Sequence, residues 1–179
     1  MPSIEATRFK LSEAQFFYAK LVKACNSVVR QYPEELQYYL SAFLSAARSV
    51  TFALQAEEKA AYDAWYPEWE TTLSEEDVSL WRGFNKERVA AVHKTGANVS
   101  HHLVRIPVHE YLAAVSMEGA NIEISGPIGE PLGEFNKVVR TFTFSGTESE
   151  VADAAGRYLR LLERVINEFT KRYPDSTAA

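Results

Sequence analysis

Apolar residues recurring every three or four positions constrain this chain more than any other feature. The clearest run is Leu36, Tyr39, Leu40, Phe43, Ala47, Val50 and Leu54, the spacing of one face of an α-helix. Before it lies Phe17, Leu21, Ala24, Val28 and Tyr32, widened by Phe16, Cys25 and Val29, with Lys20, Lys23 and Arg30 on the wet side. A third stripe joins Val78, Trp81, Phe84 (or Asn85), Arg88 and Val92. A fourth joins Val151, Ala155, Tyr158, Leu162, Val165 (or Ile166), Phe169 and Tyr173. Amphipathic helices of this length bury their stripes most simply as a four-helix bundle.

Local signals set the expected ends. Ser12 with Gln15 makes a capping-box pattern, so the first helix is expected from Glu13 to about Gln31, after a lead-in over residues 1–10. Tyr32-Pro33 ends it, because the residue before proline avoids the helical region. Pro33, Glu34 and Glu35 suit the first turn of the second helix. Its pattern allows continuation through Glu57, Glu58 and Lys59 to Tyr62, with a break at Ala64-Trp-Tyr-Pro67. Eight acids and one lysine between Glu57 and Asp77 read as a solvated face and loop. The third helix is expected over Leu73–Thr95. Ser74 caps it, Glu75, Glu76 and Asp77 favour its positive end, Lys94 lies in its last turn and Gly96 stops it. Thr147 with Glu150 makes the capping box of the last helix, which runs to about Arg172 and ends at Pro174 before a loose tail, Asp175–Ala179.

Between the third and last helices the texture changes. His102–Val108, Leu112–Met117, Asn121–Ser125 and Val139–Phe144 are short, β-branched or aromatic, and partly alternating. Glu118–Asn121 reads as a hairpin turn and Gly126–Gly133 as a loop, while Pro107 favours an edge strand or a bulge. Residues 99–145 are therefore expected to form an antiparallel sheet of two to four strands. The fold class is mainly α with a small β insert. It is expected as one domain, residues 1–179, with residues 97–146 as the inserted β region of a four-helix bundle.

The net charge of −5 argues against broad non-specific nucleic-acid binding and leaves room for a small basic site. Cys25 is the single cysteine, so no internal disulfide forms, and its apolar surroundings suit a small buried side chain. No apolar run approaches the ~20 residues of a membrane span. The opening Met1-Pro-Ser-Ile-Glu-Ala lacks a basic-then-apolar leader pattern, so a cytoplasmic location without membrane contact is expected.

The locally basic stretch runs from Arg82 to Lys94, with four basic residues and one acid. It carries Arg88 and His93. A second cation, Arg48, sits in the otherwise uncharged Ala42–Leu54. It must reach solvent along its own stem, pair with an acid, or line a cavity. All four histidines, His93, His101, His102 and His109, lie within 17 residues, but no acid or cysteine completes a ligand spacing, so neither metal nor cofactor is expected. Gly126, Gly129 and Gly133 lack the flanking strand, helix and basic residues of a phosphate loop.

An imidazole exchanges protons near neutral pH, and a guanidinium grips phosphate oxygens in two places at once. Together they suit cleavage of RNA by its own 2′-hydroxyl, with His93 as acid or base and Arg88 stabilising the charge on phosphorus. Positions five apart on an ideal helix differ by ~140° and by ~7.5 Å in height. A π-bulge, or two copies meeting about a two-fold axis, would bring the pair together. Surface polar residues and a structural histidine are the plainer alternative for the same spacing.

The strings Tyr39–Gln55 and Phe84-Asn-Lys-Glu-Arg-Val-Ala-Ala-Val-His93 resemble the HEPN family over residues 10–96, with the last helix similar in topology only. The resemblance implies a helical bundle that dimerises and, in many members, metal-independent endoribonuclease activity in toxin–antitoxin or antiphage systems. Its Arg-x4–6-His motif falls on Arg88 and His93 as catalytic residues. Asn85, Lys86 and Arg48 are then expected to line the cleft and bind substrate. Many members carry a polar residue after the arginine, where this chain has Val89, and others are catalytically silent modules that bind a protein partner. Three expectations follow: a homodimeric RNA-cleaving enzyme, a silent HEPN-like interaction module, or an unrelated bundle holding a small ligand between helices.

Overall fold

The computed structural model describes residues 4–26, 34–93, 99–115, 122–144 and 147–174. Among these the chain is mainly helical. Five helices are present: α1 (Glu5–Asn26), α2 (Glu35–Glu57), α3 (Lys59–Glu70), α4 (Glu75–His93) and α5 (Val151–Arg172). Three strands, β1 (Ser100–Val115), β2 (Ile122–Phe144) and β3 (Thr147–Glu150), form a sheet in that order. Two compact units result, Met1–Ser100 with Arg140–Ala179, and His101–Val139.

In the helical unit α2 packs against every other helix, and α5 against α1, α2 and α4. The stripe positions are the core: Leu40, Phe43, Ala47, Val50 and Leu54 of α2 are fully buried, as are Ala155, Leu162 and Val165 of α5. An aromatic wall joins four helices. Phe43 meets Phe84 edge-on at 6.2 Å, Phe84 stacks on Tyr158 at 4.5 Å, and Trp81 lies 5.2 Å from Tyr158 and 5.4 Å from Trp69. Such ring pairs each add ~0.5–1.5 kcal/mol beyond the area they bury.

The first helix starts eight residues earlier than its local pattern predicts, at Glu5 rather than Glu13. Ser12 is not a cap: its hydroxyl donates to the Arg8 carbonyl at 3.1 Å inside the helix. The real cap comes from the end of α2. The Glu57 carboxylate accepts from Ala6 N at 2.8 Å, Thr7 N at 3.0 Å and Thr7 Oγ1 at 2.6 Å. It fills the donors that a helix start leaves open. Residues 27–33, which carry Val28, Val29, Arg30, Tyr32 and Pro33, lie outside the described residues, as do Lys94–Asn98, the Glu118–Asn121 turn and the 175–179 tail.

The second helix does not run on to Tyr62. Glu58 turns the chain (φ −131°, ψ 47°) and α3 begins. Nor does Pro67 break the chain, for it lies within α3. A proline inside a helix costs ~3 kcal/mol, but α3 buries Tyr62, Trp65 and Trp69 on one stripe, and each large apolar side chain returns ~1.5–3 kcal/mol. Burial therefore outweighs the lost bond. Several acids expected in solvent are engaged as well: Glu57 as above, and Glu70 with Arg82 at 3.7 Å.

Thr147 does not cap α5. Thr147–Glu150 pairs antiparallel with Thr141–Phe144 as β3, and the N-cap residue Glu150 makes no side-chain cap bond. The Thr141 hydroxyl donates to the Glu148 carboxylate across the pair. Strand pairing has taken over the backbone that a capping box would have used. The Gly126–Gly133 segment is not a loop either, but the middle of β2, and Leu112–Val115 continues β1. Gly133 does not take the left-handed φ of a turn glycine, and proline's fixed φ is compatible with an extended chain. Pro107 lies on β1, at one edge of the strand order, where a missing N–H is tolerated.

Candidate functional site

The helix that carries Arg88 and His93 is fixed at its start. Asp77 N donates to Ser74 Oγ at 3.2 Å, as its sequence predicts. Its first-turn acids reach across to α5, where Arg157 lies 3.3 Å from Glu76 and 3.4 Å from Asp77. Its buried face presents Leu80, Trp81 and Phe84 to the core. The next positions on that face are Asn85 and Arg88, both half-buried. The helix is α-helical from Glu75 to His93, with no π-turn. Positions 88 and 93 therefore keep the ~140° separation of a regular helix.

His93 is the last residue of α4, and its side chain lies outside the description. Lys86 is exposed, two residues from Arg88 and so on the other side of the helix. The charges of Arg48 on α2 and Arg88 on α4 both bear on the hydroxyl of Tyr158, a residue that is only 2% exposed. Burial pushes that hydroxyl well above the usual tyrosine range, and the two guanidinium groups offset part of the shift. Tyr62 and Tyr66 are also raised by burial and are also pulled down by Arg48. The Tyr66 hydroxyl accepts from Trp81 Nε1 at 2.8 Å.

Arg48 takes none of its three options in pure form. Its Nη1 donates to Thr51 Oγ1 at 3.1 Å, and its guanidinium lies 4.1 Å from the Phe52 ring centre. Among the described residues neither Arg48 nor Arg88 has an ion-pair partner. Three buried side-chain polar atoms there lack any hydrogen-bond partner, and two are Asn85 Oδ1 and Arg88 Nε (the third is Trp69 Nε1). Leaving such a group unsatisfied costs ~1–3 kcal/mol. Arg88 thus combines a half-buried charge, without an acid partner among the described residues, with an open Nε–H donor one turn from the open acceptor of Asn85.

Tyr158, Tyr62 and Tyr66 were not legible as neighbours of this patch. Tyr158 keeps the period of an apolar stripe, which hides its hydroxyl. The signal that pointed toward them was Arg48 itself, a charge in an uncharged run.

Among the described residues no helix is long and apolar enough to cross a membrane. Compared with protein-family models, curated proteins and solved structures, the chain matches none.

Proposed function

We propose that this protein is a HEPN-like, metal-independent endoribonuclease that works as a homodimer, in keeping with a toxin or defence role. The observation that carries the proposal is the Arg88 guanidinium. It is half-buried, without an acid partner among the described residues, and has a buried Nε–H with no acceptor. A cation held unpaired in an acidic protein is poised for an anion, and a guanidinium stabilises the charge that builds on phosphorus. His93, five residues on, supplies the proton transfer. Because α4 is a regular helix, the two residues serve one phosphate by meeting across a two-fold axis, Arg88 from one copy and His93 from the other. Arg48 and Asn85 hold the strand, and Lys86, on the outer side of α4, contributes charge at the rim.

The test is cleavage of mixed RNA in EDTA by wild type and His93→Ala. Cleavage by the wild type alone, leaving cyclic-phosphate ends, is expected, with a loss of at least ~100-fold in the variant. Equal cleavage by both would remove His93 from the mechanism. Cleavage by neither would favour the silent module, for which Val89 after Arg88 is the sequence feature.

A further inference from the structure

The outer face of α2 is poorly suited to water. From Leu36 to Ala56 the helix carries one charge, Arg48, and no acid. A helix without a charged face is usually buried all round, yet Tyr38 is 63% exposed and Phe52 48%. Ser41, Ser45 and Ser49 lie between them, and all five positions fall within an arc of ~80°. Ser49 Oγ donates to the Ser45 carbonyl at 2.8 Å, so covering it strands no donor.

The neighbouring helix widens this face. α1 runs antiparallel to α2, since Glu57 at the end of α2 holds its start and its Tyr18 approaches Phe43 at 6.1 Å. Tyr18 and Gln15 face α5, where they meet Gly156 and Glu163. Phe9 and Phe16 stand ~160–180° round from Tyr18 and are 68% and 56% exposed. The α2 stripe lies opposite Leu40, Ala47 and Leu54, which are fully buried. Because α1, α2 and α5 pack pairwise, both sets of side chains lie on the side of the α1–α2 pair turned from α5. Four of the five large hydrophobic side chains exposed among the described residues are gathered there. Single exposed apolar residues are ordinary, but a contiguous patch marks a contact surface.

The stripe is also its own complement. Ser41 and Ser49 lie four residues either side of Ser45, and Tyr38 and Phe52 lie seven. An antiparallel pair about a two-fold axis at Ser45 sets Ser45 on Ser45, Ser41 on Ser49 and Tyr38 on Phe52, each unlike pairing occurring twice. Small residues at the centre let the helices approach closely, and a ring pair closes each end. Arg48 falls opposite Ala42, and the two copies of Arg48 stay ~9 Å apart along the helices. No acid of α2 is set against another, although each copy carries a net charge of −5. An aromatic side chain spans ~200 Å² when fully exposed, so these four present ~500 Å² per copy. Two copies bring ~1,000 Å² from the rings alone, the size from which specific interfaces begin, before the serine stripe is counted.

We infer that a second copy of this chain docks on this face, α2 against α2 about a two-fold axis at Ser45, with Phe9 and Phe16 of α1 at its border. As the interface of the proposed ribonuclease dimer it rests on that reading. As an association of two copies it uses neither Arg88 nor His93.

Sedimentation and site-directed cross-linking of the full chain test this. Wild type and Ser45→Ala sediment as dimers at ~50 μM. Ser45→Glu changes an exposed position, keeps the helical content, and weakens association about tenfold or more by setting two carboxylates together at the axis. Cross-linking is done in a Cys25→Ser background, which removes the single native thiol. There Ser45→Cys closes a disulfide between copies on mild oxidation. With a short bismaleimide, Tyr38→Cys and Phe52→Cys cross-link when mixed and not singly, which only the antiparallel register allows. A wild type that stays monomeric at ~50 μM leaves the face to a different occupant and overturns the second copy. Tyr38→Cys linked to itself, or a Ser45→Glu dimer as tight as wild type, overturns it too. The two proposals separate cleanly. The expected cross-links with RNA left intact uphold the interface and sink cleavage. A Ser45→Glu dimer that is as tight as wild type and cleaves RNA sinks the interface and leaves cleavage standing.

Discussion

Glu57 shows how much one side chain can decide. It holds two backbone donors of α1 and the buried Thr7 hydroxyl from 50 residues away. A hydrogen bond to a charged group is worth ~1.5–3 kcal/mol net, and loss of a helix cap costs ~0.5–2 kcal/mol. Glu57→Ala is therefore expected to lower stability by ~1–3 kcal/mol in urea unfolding. An unchanged midpoint would show that α1 starts without it. The buried tyrosines make a second residue-scale prediction. Burial raises the Tyr62, Tyr66 and Tyr158 hydroxyls above their ordinary value of 10.0. A raised folded value means that the stabilisation is complete below the unfolded value and is lost as pH rises through the folded one. Stability should thus decline above pH ~10. Of the nine tyrosines, these three should ionise only when helical circular dichroism is lost. A single smooth titration with the helices intact would contradict this.

At the scale of elements, Gly156 marks where α1 meets α5. A Cβ added there would lie 2.6 Å from the Tyr18 hydroxyl oxygen and 3.2 Å from Tyr18 Cζ. Alanine gains ~0.5–1 kcal/mol of helix propensity, but overpacking costs ~1–3 kcal/mol. Gly156→Ala should be a net destabilisation of ~0.5–2 kcal/mol, and Gly156→Ala with Tyr18→Phe should recover part of it. A stabilised single variant would mean that Tyr18 moves aside freely. Stripes were legible in the sequence because burial and helical period coincide: Leu40, Phe43, Val50 and Leu162 lie where their spacing puts them. The ends were not. Ser12 and Thr147 both carry good local capping signals, and each was overruled by a partner distant in the chain or across a strand pair. Pro67 and the Gly126–Gly133 run carry breaker signals that apolar burial and strand pairing overrode. The site was half legible. Arg48 stood out as a charge in an uncharged run and Arg88 by its motif. Phe52 falls off the apolar stripe of α2, and Tyr158 is concealed within that of α5.

For the whole molecule, the tension is between a net charge of −5 and two half-buried arginines, Arg48 and Arg88, that have no ion-pair partner among the described residues. If the proposed ribonuclease activity holds, an acidic surface that repels RNA broadly limits binding to strands that reach those arginines. The regular geometry of α4 adds a second whole-molecule consequence, since a single helix does not aim positions 88 and 93 at one phosphate. The active unit should be a dimer by sedimentation at assay concentration. The most direct measurement mixes Arg88→Ala with His93→Ala, each inactive alone, under conditions of subunit exchange. Half the dimers are then mixed, and each mixed dimer holds one intact Arg88–His93 pair across the axis. RNA cleavage should return to about a quarter of the wild-type rate. No recovery, with the wild type active and exchange confirmed, would place both residues of the working pair in one chain and contradict the two-fold site.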